Sequence, residues 1–358
     1  MPRSSLPRNL AFAYALLVAY ACLHPFAGWR ESGLPLFDYL IAPWPKYFQI
    51  EDLVFNVLGY IPLGFIVAAA LPVSWPLLRI IAVAALGASL FSFGLETVQH
   101  FLPSRVSSNI DLGANSAGGL IGAALGACCG RRLFAPHAGL ARWRSEHFIG
   151  GHTGDAGLIL LGLWLLTQLT PDSLLFGSGD IRRMLLIPPP LPFRPERFIA
   201  FETALTACTI VAIGLFARCM MRTAAPWPIL VLLALGVGAK TLAAATFFMP
   251  TDPLAWVTPG AESGLLVGAA LLAAALLLPR VVQHALAGTM LLAATALVNL
   301  MPENPYLSSG HTILSRGNFL NFHGLTQLVA SIWPFVALAY LSALGLWRGE
   351  HLDNPRRL

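Results

Sequence analysis

The sequence predicts an all-α fold: a polytopic bundle of transmembrane helices with about ten spans and both termini in the cytoplasm. Of the 358 residues, 56% are hydrophobic and only 11% are charged, whereas an ordinary soluble domain carries about a quarter charged residues. Long apolar runs also recur along the chain, separated by connections rich in arginine, proline and aromatic residues. An apolar run of about 20 residues is long enough to cross a bilayer as a helix.

The predicted spans follow these runs in order. They cover residues 10–27, 51–71, 77–101, 110–129, 156–170, 198–219, 226–248, 260–279, 281–300 and 323–346. The first run follows Arg3 and Arg8, so it is either an uncleaved span or a signal peptide with a lipoprotein-like cleavage site before Cys22. Its length favours the uncleaved span. Residues 29–50, rich in aromatic residues and proline, are expected to lie along the membrane surface.

Basic residues set the predicted orientation. With ten spans and cytoplasmic termini, 13 of the 22 basic residues fall inside, eight fall outside, and Lys240 lies within a span. Cytoplasmic connections carry the excess of lysine and arginine in membrane proteins. We therefore expect a multi-pass protein of the inner (plasma) membrane, in which the basic excess reflects topology and no nucleic acid is a partner.

Three regions are predicted along the chain. Residues 1–130 form a four-helix membrane domain, residues 131–155 a basic cytoplasmic linker, and residues 156–358 a second membrane domain of about six helices. The linker contains four arginines among polar residues.

Polar residues cluster in the first domain near the predicted outer ends of the spans. On helices, residues 96, 99 and 100 share one face, and residues 111 and 115 share another. Polar groups near hydrocarbon are costly unless they meet each other, water or a ligand, so we predict one outward-facing binding pocket. Its candidate residues are Asp52, Asn56, Glu96, Gln99, His100, Arg105, Asn109, Asp111 and Asn115. Taken singly, Asp52 and Asp111 are better explained as helix caps, but both together, on the same membrane side as Glu96 and Arg105, favour a shared site.

Two further features of the spans carry predictions. Glycines 113, 118, 119, 122 and 126 give the fourth span small faces that allow close helix packing. Lys240 lies about 13 Å along its helix from the outer end. It is predicted either to pair with Glu202 or Glu262, or to extend its ammonium group to the membrane surface.

Cysteine and histidine spacing predicts no metal site and no disulfide framework. The five cysteines lie in or beside apolar runs, and the histidines of residues 130–155 are widely spaced. No cofactor is expected.

Residues 1–130 resemble the VanZ-like membrane family. The resemblance rests on Asp52 and Asn56, on LGYIPLGF at 58–65, on LETVQHFLPSR at 95–105, and on NIDLGANSAGGLIGAALG at 109–126. Arg105 is followed by Val-Ser-Ser-Asn, which is less acidic than the usual family form. The second half resembles that of longer, fused members and implies no known activity. The family's namesake is associated with lowered sensitivity to the glycopeptide antibiotic teicoplanin, which implies antibiotic resistance and a role at the cell envelope.

Three functions are compatible with the sequence. In the first, the pocket binds a lipid-like or cell-envelope headgroup, with membrane lipids and a lipid-linked or lipopeptide small molecule as partners, and Arg105 pairs with a phosphate or carboxylate. In the second, the protein is a membrane-embedded enzyme acting on an envelope lipid precursor, with Glu96 or Asp111 as general base and His100 as its partner. In the third, the polar cluster is structural. The enzyme hypothesis is the weakest, because no nucleophile elbow or His-Glu-x-x-His motif is present.

Overall fold

The computed structural model describes an all-α helix bundle. It covers residues 5–31, 33, 35–44, 50–134, 139–170, 173–248, 252–302 and 317–353, without the side chains of 51, 131–132, 247–248, 317–321 and 347–353. Within those ranges the only β-type pairing is one isolated bridge between Phe148 and Met221. The predicted fold class is confirmed.

The described residues up to His147 form seven helices. They are α1 (Leu6–Leu23), the short α2 (Asp38–Ile41), α3 (Ile50–Ala70), α4 (Leu77–Gln99), α5 (Asn109–Leu125, continued by a π-helical turn at Gly126–Gly130), α6 (Arg131–Phe134) and α7 (Gly139–His147).

The remainder forms seven more helices within the described ranges. They are α8 (Gly151–Thr167), the short α9 (Ile181–Met184), α10 (Pro195–Met220), α11 (Trp227–Ala243, continued by a π-helical turn at Ala244–Phe248), α12 (Pro259–Ala275), α13 (Arg280–Leu300) and α14 (Gly317–Asp353). Helix α14 begins six residues before the apolar run that predicted it.

All ten predicted spans coincide with helices, but they are not equally long. In the described part of the chain, eight helices are long and apolar enough to cross a membrane, and α12 is a shorter apolar helix. Helices α8 and α12 have 17 residues each, which gives a length of about 26 Å at 1.5 Å per residue. That is less than the roughly 30 Å of the hydrocarbon core, so these two helices do not meet the length of a full span.

The chain divides into two compact units. One consists of Met1–Glu146 with Gly317–Leu325, and the other of His147–Arg316 with Thr326–Leu358. The division falls at the end of α7, within the stretch predicted as a basic linker.

Glycines of α5 determine the packing of the first unit. A Cβ atom at Gly118, Gly122 or Gly126 would overlap the backbone of α3, at the carbonyl oxygens of Val57, Ile61 and Phe65 respectively. The two helices are therefore in direct backbone contact along three turns, as small residues permit in membrane proteins. The predicted close approach is confirmed at these positions. Gly113 differs, since a Cβ there meets nothing within 4 Å.

Helix α10 forms the centre of the second unit. Nearly every side chain from Leu205 to Met220 is buried, and α10 packs against α12 and α13. Aromatic side chains close the core around it: Phe216 contacts the rings of Trp333 and Tyr340.

Lys240 follows neither of its two predicted alternatives. Its side chain is only 3% exposed, and Nζ donates to the carbonyl of Thr170 at 2.8 Å and to the carbonyl and hydroxyl of Ser173. Glu202 is buried and Glu262 is exposed, and neither carboxylate is among the acceptors of these Nζ hydrogen bonds. The ammonium group thus satisfies backbone carbonyls just after α8, a role that a buried lysine can fill with its three donors.

Candidate functional site

The candidate site lies in the first unit, where α3 and α5 begin and α4 ends. Asn56 Nδ2 donates to Asp111 Oδ1 at 2.7 Å, which joins the second turn of α3 to the first turn of α5. Asp52, one turn before Asn56, lies within electrostatic range of Asp111. The structure therefore brings together the two aspartates that helical spacing pointed toward one volume.

Glu96 is the buried carboxylate of the site. It is 5% exposed, and Oε2 accepts a hydrogen bond from the backbone amide of Ser108 at 3.0 Å. Ser108 caps α5 through its hydroxyl, and the hydroxyl of Ser107 donates to the Glu96 carbonyl. The loop after α4 thus folds back so that the end of α4 meets the start of α5, and Glu96 comes within electrostatic range of Asp111.

Asn115 lies one turn along α5 from Asp111. It is 5% exposed, and its Nδ2 donates at 2.9 Å to the hydroxyl of the fully buried Ser92 on α4. Its Oδ1 is buried and has no hydrogen-bond partner among the described residues. A buried carbonyl oxygen of this kind costs free energy comparable to a lost hydrogen bond. Asn115 Oδ1 is therefore a buried acceptor whose hydrogen-bonding capacity is unsatisfied among the described residues.

Cys22, near the end of α1, lies close to these groups. Its thiol is within electrostatic range of Glu96, Arg105 and Asp111. Cys22 is not among the residues predicted for the pocket, because it lies inside an apolar run. Only the contact between α1 and the ends of the other helices identifies it.

Arg105, predicted to pair with a phosphate or carboxylate of a ligand, binds the protein backbone at the end of α1. Its Nε and Nη2 both donate to the carbonyl of His24, which caps the C-terminus of α1. Burial lowers the pKa of the guanidinium from its ordinary value, and the nearby Cys22 opposes this shift. Arg105 therefore stabilises the end of α1, close to the carboxylates.

Three other predicted residues lie at the edge of the site. Gln99 Nε2 donates to the carbonyl of Cys22 at 2.8 Å, and Asn109 Nδ2 donates to the carbonyl of Ala42, just after α2, at 2.8 Å. His100 makes an edge-to-face ring contact with Phe101. The two amides thus tie neighbouring segments to the site.

The hydrogen-bond donors to the two carboxylates of the site are uncharged. Glu96 and Asp111 accept from neutral donors, the Ser108 amide and the Asn56 amide, so neither hydrogen bond brings a positive charge. Carboxylates that repel each other favour a bound cation or a proton. In the described ranges, no three His, Cys, Asp or Glu side chains are placed to share a metal ion.

Comparison with known proteins identifies the first part of the chain. The family model described as VanZ/LLP1 matches residues 8–130, about a third of the chain. No curated protein and no solved structure matches. Residues 8–130 are therefore a VanZ-like domain, as the motifs predicted, and the rest of the chain is an additional region.

Proposed function

We propose that the VanZ-like domain of this multi-pass membrane protein binds the polar headgroup of an amphiphile, through Glu96, Asp111 and Asn115. The occupant is a lipid-like or cell-envelope molecule whose headgroup carries an ammonium or another cationic donor. The site faces outward from the plasma membrane. This orientation is tested by labelling a cysteine introduced at Ser104 from outside intact cells; labelling only after permeabilisation would contradict it.

The proposal rests chiefly on the pair of carboxylates held by neutral donors. A buried carboxylate is expensive unless a positive charge or several hydrogen bonds compensate it. Glu96 accepts from one backbone amide, and Asp111 from one side-chain amide. A cationic headgroup would satisfy both, and its further donors would reach Asn115 Oδ1.

The position of the site also supports an amphiphilic ligand. The polar groups lie at the ends of membrane-length helices, beside the aromatic segment that contains α2. Aromatic side chains of this kind concentrate at the level of lipid headgroups. A ligand with its polar part in the site would have its apolar part beside hydrocarbon.

The association of the VanZ family with glycopeptides suggests one ligand to try. Teicoplanin-type antibiotics carry a lipid tail and act at the cell envelope, so a headgroup site in this domain could alter sensitivity to them. This antibiotic-resistance role is a finer proposal than headgroup binding and is tested separately.

The experiment measures thermal unfolding of the purified protein in a neutral detergent. Phosphatidylethanolamine, phosphatidylglycerol and teicoplanin are added in turn to wild type, to Glu96→Gln and to Asp38→Asn. Asp38 is an exposed carboxylate of the same unit, so its variant controls for lost charge. We expect phosphatidylethanolamine to raise the Tm of wild type and Asp38→Asn but not of Glu96→Gln. Equal shifts in all three proteins would contradict the proposal, and no response to teicoplanin would exclude the finer role alone.

A purely structural role of the polar cluster predicts a different result. If the cluster only holds helix ends together, Glu96→Gln should lower the Tm in detergent alone, and no lipid should distinguish it from wild type. An enzymatic role would instead require turnover of a lipid-linked precursor by the purified protein.

A further inference from the structure

The connection between α8 and α10 contains a short apolar segment, Met184–Ile187, at the end of α9. Its four side chains are exposed by 47%, 58%, 90% and 52% in chain order, and Leu186 is the most exposed. Single exposed apolar residues are ordinary on a protein surface, but a contiguous group of them marks a contact with a membrane or with another protein. The segment therefore displays apolar surface to whatever surrounds the second unit.

The backbone of this segment forms a regular helix cap with an unusual residue in it. The Ile187 amide donates to the Arg182 carbonyl, and the Leu186 amide donates to the Arg183 carbonyl, which is the hydrogen-bond pair of a Schellman motif. Leu186 occupies the left-handed position of the motif, with φ at 55°. Glycine usually takes this position, because a β-carbon costs free energy there. Leu186 is thus strained, and its exposed side chain gains little from packing within the protein.

Hydrogen bonds hold α9 at the end of α13. Asn299, in the last turn of α13, accepts from the backbone amides of Ile181 and Arg182 at 3.1 Å each, and the buried Arg182 donates to the Met301 carbonyl. Helix α13 has 21 residues, about 31 Å at 1.5 Å per residue, which matches the roughly 30 Å of the hydrocarbon core. The end of α13, and with it the apolar segment, therefore lies at the level of a membrane surface.

Basic residues flank the apolar segment. Between residues 180 and 197 the chain carries four arginines and two carboxylates: Arg182, Arg183, Arg194, Arg197, Asp180 and Glu196. Arg183 and Arg194 are exposed, and Arg183 also lies 3.8 Å from the Asp180 carboxylate. An excess of positive charge beside exposed apolar side chains is complementary to a lipid surface, where phosphate groups lie next to an acyl layer.

The first unit has a corresponding segment at α2. A shift of 146 positions brings the starts of α1, α3, α4 and α5 to within four residues of the starts of α8, α10, α11 and α12. The same shift relates Leu-Ile-Ala-Pro at 40–43 to Leu-Ile-Pro-Pro at 186–189. Leu40 and Ile41 are exposed by 39% and 85%. They belong to the aromatic segment that is expected to lie along the membrane surface.

Helix packing within each unit supports the same shift. A Cβ atom at Gly118 would meet the Val57 carbonyl of α3, and one at Gly264 would meet the Thr203 carbonyl of α10. Both residues of the second pair are 146 positions after those of the first. The sequence Gly-x-Leu-x-Gly-Ala-Ala-Leu also occurs at 118–125 and again at 264–271. Both units thus follow one helix pattern, and both display apolar residues between its first two long helices.

We propose that Met184–Ile187 is a membrane-surface anchor of the second unit. Its apolar side chains enter the acyl layer just beneath the lipid headgroups, and Arg183 and Arg194 lie at the level of the lipid phosphates. Lipid is the occupant that fits this surface, because hydrocarbon buries the Leu186 side chain without a shaped pocket and so offsets the strain of its backbone. The anchor is separate from the carboxylates of the first unit and does not depend on headgroup binding there.

Fluorescence quenching in nanodiscs of phosphatidylcholine and phosphatidylglycerol tests the anchor. The full-length protein, with its five native cysteines replaced by alanine, carries one bimane-labelled cysteine, either Leu186→Cys or the control Ala224→Cys. Ala224 is an exposed residue of the same unit, between α10 and α11. We expect lipids brominated on the acyl chains to quench the label at 186, and iodide in the water to quench the label at 224. Stronger quenching at 186 by iodide than by brominated lipid would overturn the proposal. Weak quenching by both would also overturn it, because protein would then cover the segment.

Hydrogen exchange tests the anchor in proteins that keep all five cysteines, in case the labelled variants do not fold. Aspartate adopts left-handed backbone more readily than leucine, so Leu186→Asp removes the apolar contact without adding strain to the turn. In the same nanodiscs, we expect faster amide exchange at residues 183–187 in Leu186→Asp than in the matched control Leu186→Met, which stays apolar. Equal exchange in the two variants would show that lipid does not hold this segment.

Discussion

Arg105 donates from Nε and Nη2 to the backbone carbonyl of His24, with a distance of 3.2 Å from Nε to the oxygen. This contact joins the loop after α4 to the end of α1, next to Glu96 and Asp111. The guanidinium of Arg105, which was predicted as part of the pocket, therefore holds the backbone beside these carboxylates.

Replacement of Arg105 should destabilise the first unit. Hydrogen bonds from charged groups contribute roughly 1.5–3 kcal/mol, so we expect Arg105→Met to lower the Tm measurably. Arg30→Met, at an exposed arginine of the same unit, is the control and should have little effect. Equal Tm values for the two variants would contradict the structural role of Arg105.

Substitution of glycine in α5 should separate backbone contact from helix propensity. Gly122→Ala forces a methyl group onto the Ile61 carbonyl, and overpacking of this kind costs about 1–3 kcal/mol. Gly113→Ala, on the same helix in open space, should be neutral or stabilising, because alanine favours a helix by about 0.5–1 kcal/mol over glycine. The check is the free energy of unfolding of both variants in the same detergent. A stable Gly122→Ala protein would show that α3 and α5 are farther apart than the structure has them.

Lys240→Met should loosen the segment after α8. The methionine fills similar volume but removes the hydrogen bonds from Nζ to the carbonyls of Thr170 and Ser173, and the Thr170 carbonyl keeps only its bond from the Ser173 hydroxyl. We expect faster amide hydrogen exchange in residues 173–180 of this variant. Lys240→Arg, which keeps a cationic donor, should show a smaller change. Unchanged exchange in Lys240→Met would show that other contacts hold this segment.

The lowered pKa of His24 predicts how the stability of the first unit depends on pH. Burial, followed by the positive charges of Arg105 and His323, lowers the pKa of His24 from its ordinary value of 6.5. The unfolded chain therefore binds a proton at a pH where the folded chain does not. The stability linked to His24 is complete above about 6.5 and is lost as the pH falls through the lowered, folded-state value.

The measurement is Tm against pH. Wild type should lose stability between about pH 7 and 5, and His24→Gln should lose less over that range. His152→Gln, at an exposed histidine of the other unit, should follow wild type. A steeper fall in His24→Gln than in wild type would reverse the sign and refute this account.

Sequence patterns predicted what depends on regular helices. Apolar runs located the spans, and their ends predicted that Asp111 and Glu96 lie near each other; the structure places both where α5 begins and α4 ends. Glycine spacing predicted that α5 packs closely against another helix, since the period of a helix fixes which residues share a face, but it did not identify α3 as the partner.

The remaining contacts depend on the paths of loops, which no periodic pattern describes. Arg105 and Lys240 bind backbone carbonyls after α1 and α8. The sequence around a backbone carbonyl does not indicate which side chain will bind it. Asn109 reaches Ala42 because the segment after α2 passes by it. Cys22 was missed because a thiol in an apolar run looks like any other apolar residue.

The most direct test of the central claim is a density map of the full-length protein in a lipid bilayer containing phosphatidylethanolamine. We expect headgroup density in contact with the carboxylates of Glu96 and Asp111 and with Asn115 Oδ1, and its loss in Glu96→Gln with the helices unmoved. A map in which Asn115 Oδ1 and the two carboxylates bond only to protein groups, with no density beside them, would contradict headgroup binding.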